Sequence, residues 1–252
     1  MITQADRPKI LIIRLDGLGD TLLTLPLIDG LKKCWPNCEI TYLASPRGSS
    51  VFADDPRIST LWVHELNSLS KTEKWNLGQT IRTHAFDLVF CLNEKFWPAL
   101  WTRMSGASMR LGFDPGWIQP PKALLRRLTL THRLQNPNDP STASIHEVER
   151  YAGLAALAGC RDAEAPMQLV LPESDDAWAR ELIKKTPLPL ALHLSAKWTS
   201  EGWPADSCVA VAHSILAKFP AAFLYVTAGP GEERYFANAS TVLPPNRFRL
   251  LN

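Results

Sequence analysis

Cysteine is sparse in this 252-residue chain, and the five that occur, at 34, 38, 91, 160 and 208, are scattered. Cys34 and Cys38 bracket "WPN", but no second Cys or His pair lies nearby in the sequence, which excludes a zinc site of ordinary spacing. An odd number of cysteines with no export signal reads as reduced thiols, Cys34 and Cys38 being half-buried near a helix end. Charge of one sign is also scarce. With 27 Lys and Arg against 25 Asp and Glu, the formal net charge is +2, which excludes the broad basic surface of a nucleic-acid protein but leaves room for local patches. Long apolar runs are missing. No stretch reaches the ~18 apolar residues of a spanning helix, and "MITQADRPK" has neither the apolar region nor the flanks of a signal peptide.

What is present is an alternation of strand and helix. "KILIIRL" is a continuous apolar run, as in a strand covered on both faces. "LPLIDGLKKCWP" has helical spacing and stops at Trp35-Pro36. "EITYLAS", "ISTLWVHE" and "FDLVFCLN" follow as strands, "SKTEKWNLGQTIRTHA" and "FWPALWTRMSGAS" as helices, and "MRLGFD" as a short strand. Residues 114–145, rich in proline and base, read as loop and short helix, and "ASIHEVERYAGLAALAG" as an amphipathic helix. A second alternating unit starts with "LPLALHLS", "DSCVAVAHSILAKFP" and "AFLYVTAG", continues through "PGEERYFANAS" as a helix, and ends on the strand "NRFRLLN". The pattern predicts an α/β protein of two doubly wound, parallel-sheet domains. They span residues 1–165 and 177–252, joined by a linker at 166–176. With at most three strands, the second reads as incomplete at its C-terminus.

The stretch "RLDGLGDTLLTLP", residues 14 to 26, leaves the first strand through two glycines and two aspartates. As a dinucleotide fingerprint it is partial, since Leu22 stands where a third glycine or alanine belongs and no acidic residue closes the second strand. As a P-loop it lacks Gly-Lys-Ser/Thr. The remaining reading is a turn that presents Asp20 at the carboxyl edge of the sheet, where open α/β sheets place ligands. Helix N-capping by Asp20 stands beside it as the alternative. Pro26 argues for a regular helix that starts near Thr24.

These residues carry a resemblance. "ILIIRLDGLGDTLLTLPLIDGLKKCWPNCEITYLAS", "FDLVFCLNEKFWPALWTRMSGASMRLGFD", "HEVERYAGLAALAG", and "LALHLSAKWTSEGWPADSCVAVAHSIL" followed by "VTAGPGEE", resemble glycosyltransferase family 9 in the family's own order. These are the ADP-heptose:lipopolysaccharide heptosyltransferases. The resemblance implies a GT-B fold of two Rossmann-like domains with a cleft between them. It implies inverting, metal-independent transfer of a heptose from ADP-heptose to the lipopolysaccharide inner core, with no cofactor. The implied location is cytoplasmic, at the inner face of the membrane and with peripheral contact to it, where the acceptor is a lipid-linked saccharide. No nucleic acid is a partner.

By the same resemblance Asp20 is the general base, and Arg14, with Gly17 and Gly19, faces an acidic acceptor. Ser195, Lys197, Glu232 and Glu233 fall on the donor side, one of the two glutamates contacting the nucleoside. Two departures stand out. Glu201, in "TSEGWP", occupies the family's usual lysine position, and Lys197 reads either as the cation that meets a diphosphate in its place or as a solvated lysine. The family's C-terminal "GPMH"-type segment does not occur. A non-catalytic binding protein and a transferase with another donor are the competing readings.

Four other features have competing readings. The basic run with Lys122, Arg126, Arg127, His132 and Arg133 among leucines reads either as a solvated face over a packed stripe or as a contact for anionic lipid or the acidic acceptor. Trp97 and Trp101, four apart, read as core. Trp117 is the candidate for stacking on a sugar ring. His193 reads as a strand-end residue.

Overall fold

The computed structural model describes residues 7–114, 120–135, 145–160, 167–194, 201–203, 205–229, 232 and 243–251. The chain forms two compact units, Met1–Leu171 and Pro172–Asn252.

The first unit is built on a parallel six-stranded sheet in the order β3-β2-β1-β4-β5-β6. Its strands are β1 (Lys9–Arg14), β2 (Glu39–Ala44), β3 (Thr60–Val63), β4 (Leu88–Cys91), β5 (Met109–Asp114) and β6 (His132–Gln135). From β1 the chain adds β2 and β3 on one side and then crosses back to add β4, β5 and β6 on the other, so the strand order reverses between β1 and β4. β1 explains its own apolar run. Ile10 and Ile12 pack into one core with Leu27, Ile28, Leu31, Tyr151 and Leu154, while Leu11 and Ile13 pack into another with Leu77, Ile81 and Trp101. Alternate side chains of a strand point to opposite faces, and here both faces are covered.

The covering helices on the first face are α2 (Leu25–Cys34) and α7 (Glu147–Leu157), and on the second α4 (Lys71–Thr83) and α5 (Phe96–Met104). α4 opens with a capping box, the Ser70 hydroxyl taking the Glu73 N–H and the Glu73 carboxylate taking the Ser70 N–H. Between β1 and α2 lies a five-residue helix α1 (Leu18–Leu22), and α3 (Pro46–Ser49) follows β2. Trp101 is fully buried and donates its indole N–H to the Lys74 carbonyl at 2.7 Å, so the tryptophan pair does pack as core.

Three expectations change. Residues 114–145 contain α6 (Pro120–Thr129), as expected, but also the sixth strand β6, half-exposed at the sheet edge. Its four residues, "HRLQ", are too short and polar to signal a strand by pattern. Part of the expected linker at 166–176 is helical, because α8 (Glu173–Ile183) starts directly after Pro172, its first turn acidic as a helix N-terminus favours. Third, the cysteines are not all reduced. Cys34, at the end of α2, is bonded to Cys160, just past α7, across 126 residues, while Cys38, Cys91 and Cys208 are free and buried. The expectation failed because it counted spacing along the chain, whereas α2 and α7 lie side by side on one face of the sheet.

The second unit has a parallel three-stranded sheet, β7 (Leu188–Leu194), β8 (Ala222–Ala228) and β9 (Phe248–Leu251), in that order. Helix α9 (Ala205–Lys218) packs Cys208, Ala212 and Leu216 against Leu224 and Val226. The helix expected over "PGEERYFANAS" lies outside the described residues apart from Glu232.

Candidate active site

The site forms at the carboxyl ends of β1 and β4, where the strand order reverses. Arg14 is the last residue of β1 and is only 9 % exposed. Its Nη1 donates to the Leu92 carbonyl at 2.7 Å and its Nη2 to Asp20 Oδ1 at 2.9 Å. Its Nε lies 3.2 Å from Asp16 Oδ2. One buried guanidinium is therefore held by two carboxylates, one on each side of the turn. Burial opposes its charge, but Tyr151, Asp16 and Asp20 outweigh that, and its pKa is raised.

Asp20 does not cap a helix. The N-cap of α1 is Gly17, with no side-chain cap hydrogen bond, and Asp20 lies in the first helical turn with its carboxylate on Arg14. The capping alternative is thereby overturned. α2 starts at Leu25 with Thr24 before it and Pro26 in the first turn, where a missing N–H is harmless. Neither glycine of this turn is required by backbone geometry or by crowding. Gly17 has φ −73°, open to any residue, and a side chain at Gly19 would meet nothing within 4 Å. The tight glycine is Gly48 in α3, where an added Cβ would come within 2.4 Å of the Thr21 hydroxyl.

Three residues that the sequence reading did not single out complete the site. Asn93, just beyond β4, is buried; it takes the Leu15 N–H on Oδ1 at 2.7 Å and donates from Nδ2 to Asp16 Oδ2 at 2.6 Å. Lys95 Nζ lies 3.7 Å from Asp16 Oδ1. On α7, Arg150 pairs with Glu147, which also accepts from the Tyr151 hydroxyl at 2.7 Å. The Arg150 guanidinium sits 3.9 Å over the Phe113 ring. The one available signal was Asp16, the first aspartate of "RLDGLGD", which Asn93 and Lys95 both contact.

These side chains line a cavity of about 830 Å³ inside the first unit. Arg14, Asp16, Asn93 and Lys95 supply its polar floor, and Phe96 and Phe113 its apolar wall. Asp20 is outside the lining, half-exposed, and reaches the cavity through Arg14. A cavity of this size, apolar with a few convergent charges, suits a small polar molecule. Among the described residues, no three His, Cys, Asp or Glu side chains gather to hold a metal ion, and no helix is long and apolar enough to cross a membrane.

Of the residues expected to meet a donor, Glu232 accepts the Gly229 N–H at 2.8 Å, which folds its carboxylate back onto the carboxyl end of β8. His193 ends β7 with Nδ1 3.0 Å from the Thr227 hydroxyl. Glu201 is exposed. Ser195, Lys197, Glu233 and Trp117 lie outside the described residues.

The architecture has close parallels among solved structures. A glycosyl transferase family 9 protein from Veillonella parvula superposes with a TM-score of 0.74 at 17 % identity, over 98 % of this chain and 70 % of that one. The E. coli ADP-heptose lipopolysaccharide heptosyltransferase II follows at 0.68 and 18 %, over 96 % and 72 %. The fold is that of the family 9 glycosyltransferases. In sequence, the chain is similar to the lipopolysaccharide core heptosyltransferase OpsX of Haemophilus influenzae, at 20 % identity over 83 % of this chain and 59 % of the relative. It is also similar to E. coli lipopolysaccharide heptosyltransferase 3, at 27 % over 38 % and 29 %. The chain thus matches less than two thirds of either relative's length. No family model matches it. As in family 9, each unit is a Rossmann-like α/β layer, the make-up of a GT-B-type fold.

Proposed function

We propose that this chain is a glycosyltransferase that moves a heptose from ADP-heptose onto the acidic saccharide of the lipopolysaccharide inner core. The observation that carries the reading is the Arg14–Asp20 pair at the reversal of strand order, beside a charged cavity. Asp20 takes the acceptor hydroxyl proton as general base. The freed oxygen bonds to the anomeric carbon from the face opposite the leaving group, the bond from that carbon to the diphosphate oxygen breaks, and ADP departs with the electron pair. The configuration is inverted. A positioned base contributes ~10²–10⁴-fold to such a step, through a state with oxocarbenium character like that of glycoside hydrolysis. The half-exposed Asp20 carboxylate is open to an incoming hydroxyl, and Arg14 holds it in place.

Arg14, Lys95 and Arg150 suit an anionic acceptor, and the open space at Gly19 leaves room for its approach. On the donor side, Ser195 and Lys197 meet the diphosphate and Glu232 or Glu233 the nucleoside, without a metal or cofactor, as in the family that the chain resembles. The same likeness puts the protein in the cytoplasm, facing the membrane with its lipid-linked acceptor.

Calorimetry of the chain against ADP-, GDP- and UDP-sugars is the test. Selective binding of the ADP sugar, weakened by Lys197→Ala and strengthened by Glu201→Lys, is expected from the charge of the diphosphate. Binding of another nucleotide sugar instead would favour the related transferase that the change to Glu201 suggests. Failure to bind any would favour the non-catalytic alternative.

A further inference from the structure

Helix α6 turns a mixed face to solvent. Its buried positions are Ala123, Arg126 and Thr129, three apart. Leu124 and Leu128, four apart and therefore on one stripe, are 60 % and 66 % exposed. Lys122 and Arg127 are exposed on the same helix, and Arg133 is exposed on the following strand. Arg110 donates from Nε to the Thr129 carbonyl at 2.8 Å, which adds a cation at the last turn. Among the described residues of this face, Asp114 lies 3.3 Å from Arg127 and 3.8 Å from Arg133, and the cations outnumber it. Phe96, itself 56 % exposed, lines the same cavity as Lys122, so the patch runs to the cavity mouth.

Exposed leucines ringed by cations match the layering of a bilayer surface, apolar chains beneath anionic headgroups. A second copy of the chain fits less well, because a twofold contact through this face would set its cations against the same cations. We propose that the exposed face of α6 docks onto an anionic bilayer. Leu124 and Leu128 enter the acyl boundary, and Lys122, Arg127 and Arg133 meet the headgroup phosphates. The surface itself stands on exposure and charge; its consequence, delivery of a lipid-linked acceptor to the cavity mouth, rests on the proposed function.

The test is co-sedimentation of the 252-residue chain with phosphatidylcholine vesicles, with and without about one-third phosphatidylglycerol. Binding to the anionic vesicles alone, weakening as salt rises, is expected. Leu124→Ser with Leu128→Ser should lower that binding about tenfold, and Arg127→Gln with Arg133→Gln about fivefold or more for each cation removed. None of these four side chains lines the cavity, so each variant should keep its calorimetric affinity for nucleotide sugars, which also shows that it is folded.

Wild-type binding by the leucine variant, equal binding to neutral vesicles, or no vesicle binding at all would overturn the proposal. So would a wild-type dimer that the leucine variant converts to monomer without any vesicle binding, which would assign the face to a second copy. Vesicle binding without any affinity for nucleotide sugars would remove the proposed function and leave the docking surface standing. The reverse result would do the opposite.

Discussion

Arg14 and Asp20 meet at 2.9 Å between Nη2 and Oδ1, and the guanidinium that makes this contact also ties β1 to β4 through the Leu92 carbonyl. The carboxylate proposed to accept a proton is therefore positioned by a cation that belongs to the sheet. Asp16 sits on the other side of the same cation and is itself held by Asn93.

Asp20→Asn keeps the size of the side chain and a hydrogen bond to Arg14 but removes its basicity. Turnover of an active enzyme should fall ~10²-fold or more, with the unfolding midpoint and nucleotide affinity nearly unchanged. Full activity in Asp20→Asn would rule it out as the base.

Removing the cation is a stability experiment. Arg14→Met removes the cation that Asp16 and Asp20 share and takes its donor from the Leu92 carbonyl. Loss of a buried partner costs about 3–5 kcal/mol, and the half-exposed Asp20 lowers the figure here to about 2–3 kcal/mol. Denaturant unfolding at neutral pH measures it. Restoration of stability in Arg14→Met by a further Asp16→Asn would show that carboxylate repulsion is the larger part.

Gly48→Ala should disturb the site from behind. The new methyl group would lie within 2.4 Å of the Thr21 hydroxyl, one residue after Asp20. About 1–3 kcal/mol of overpacking is expected. Thr21→Ser leaves that hydroxyl in place and should rescue little, whereas Thr21→Ala should rescue most of the loss. Melting of the three variants separates these outcomes.

The disulfide makes a prediction about thiols. In denaturant without reductant, three cysteines should react with a thiol reagent, and all five after reduction. Cys160→Ser should cost about 2–4 kcal/mol under non-reducing conditions, mainly by freeing a long loop in the unfolded chain. Reaction of all five cysteines before reduction would show that the bond does not form under those conditions.

Alkaline pH tests the core below the site. Burial pushes the phenols of Tyr42 and Tyr151 well above the usual tyrosine range. A raised folded pKa means that the unfolded chain loses these protons first. The stabilisation is therefore complete below the ordinary phenol pKa of about 10 and declines as pH rises above it. Phenolate absorbance should report these two tyrosines only together with loss of the native circular dichroism. Their titration in a chain that is still folded would contradict the burial.

Much of this protein was legible along the chain because the signals are local. The apolar run of β1, the helical spacing of α2 and α7, and the break at Trp35-Pro36 each follow from a period of a few residues, and the structure places those elements there. Arg14 and Asp20 could be singled out because both belong to one short turn. The decisions left to the tertiary structure join residues far apart in sequence. Arg14 and Leu15 bond to Leu92 and Asn93, 78 positions away, because β1 and β4 become neighbours only when the sheet assembles. Asn93 therefore had no local pattern to mark it. Cys34 and Cys160 meet because α2 and α7 cover the same face, a fact of packing that no cysteine spacing contains. Whether Asp20 caps a helix or pairs with Arg14 was settled in the same way, since backbone and guanidinium compete for one carboxylate and only the folded turn brings the guanidinium to 2.9 Å.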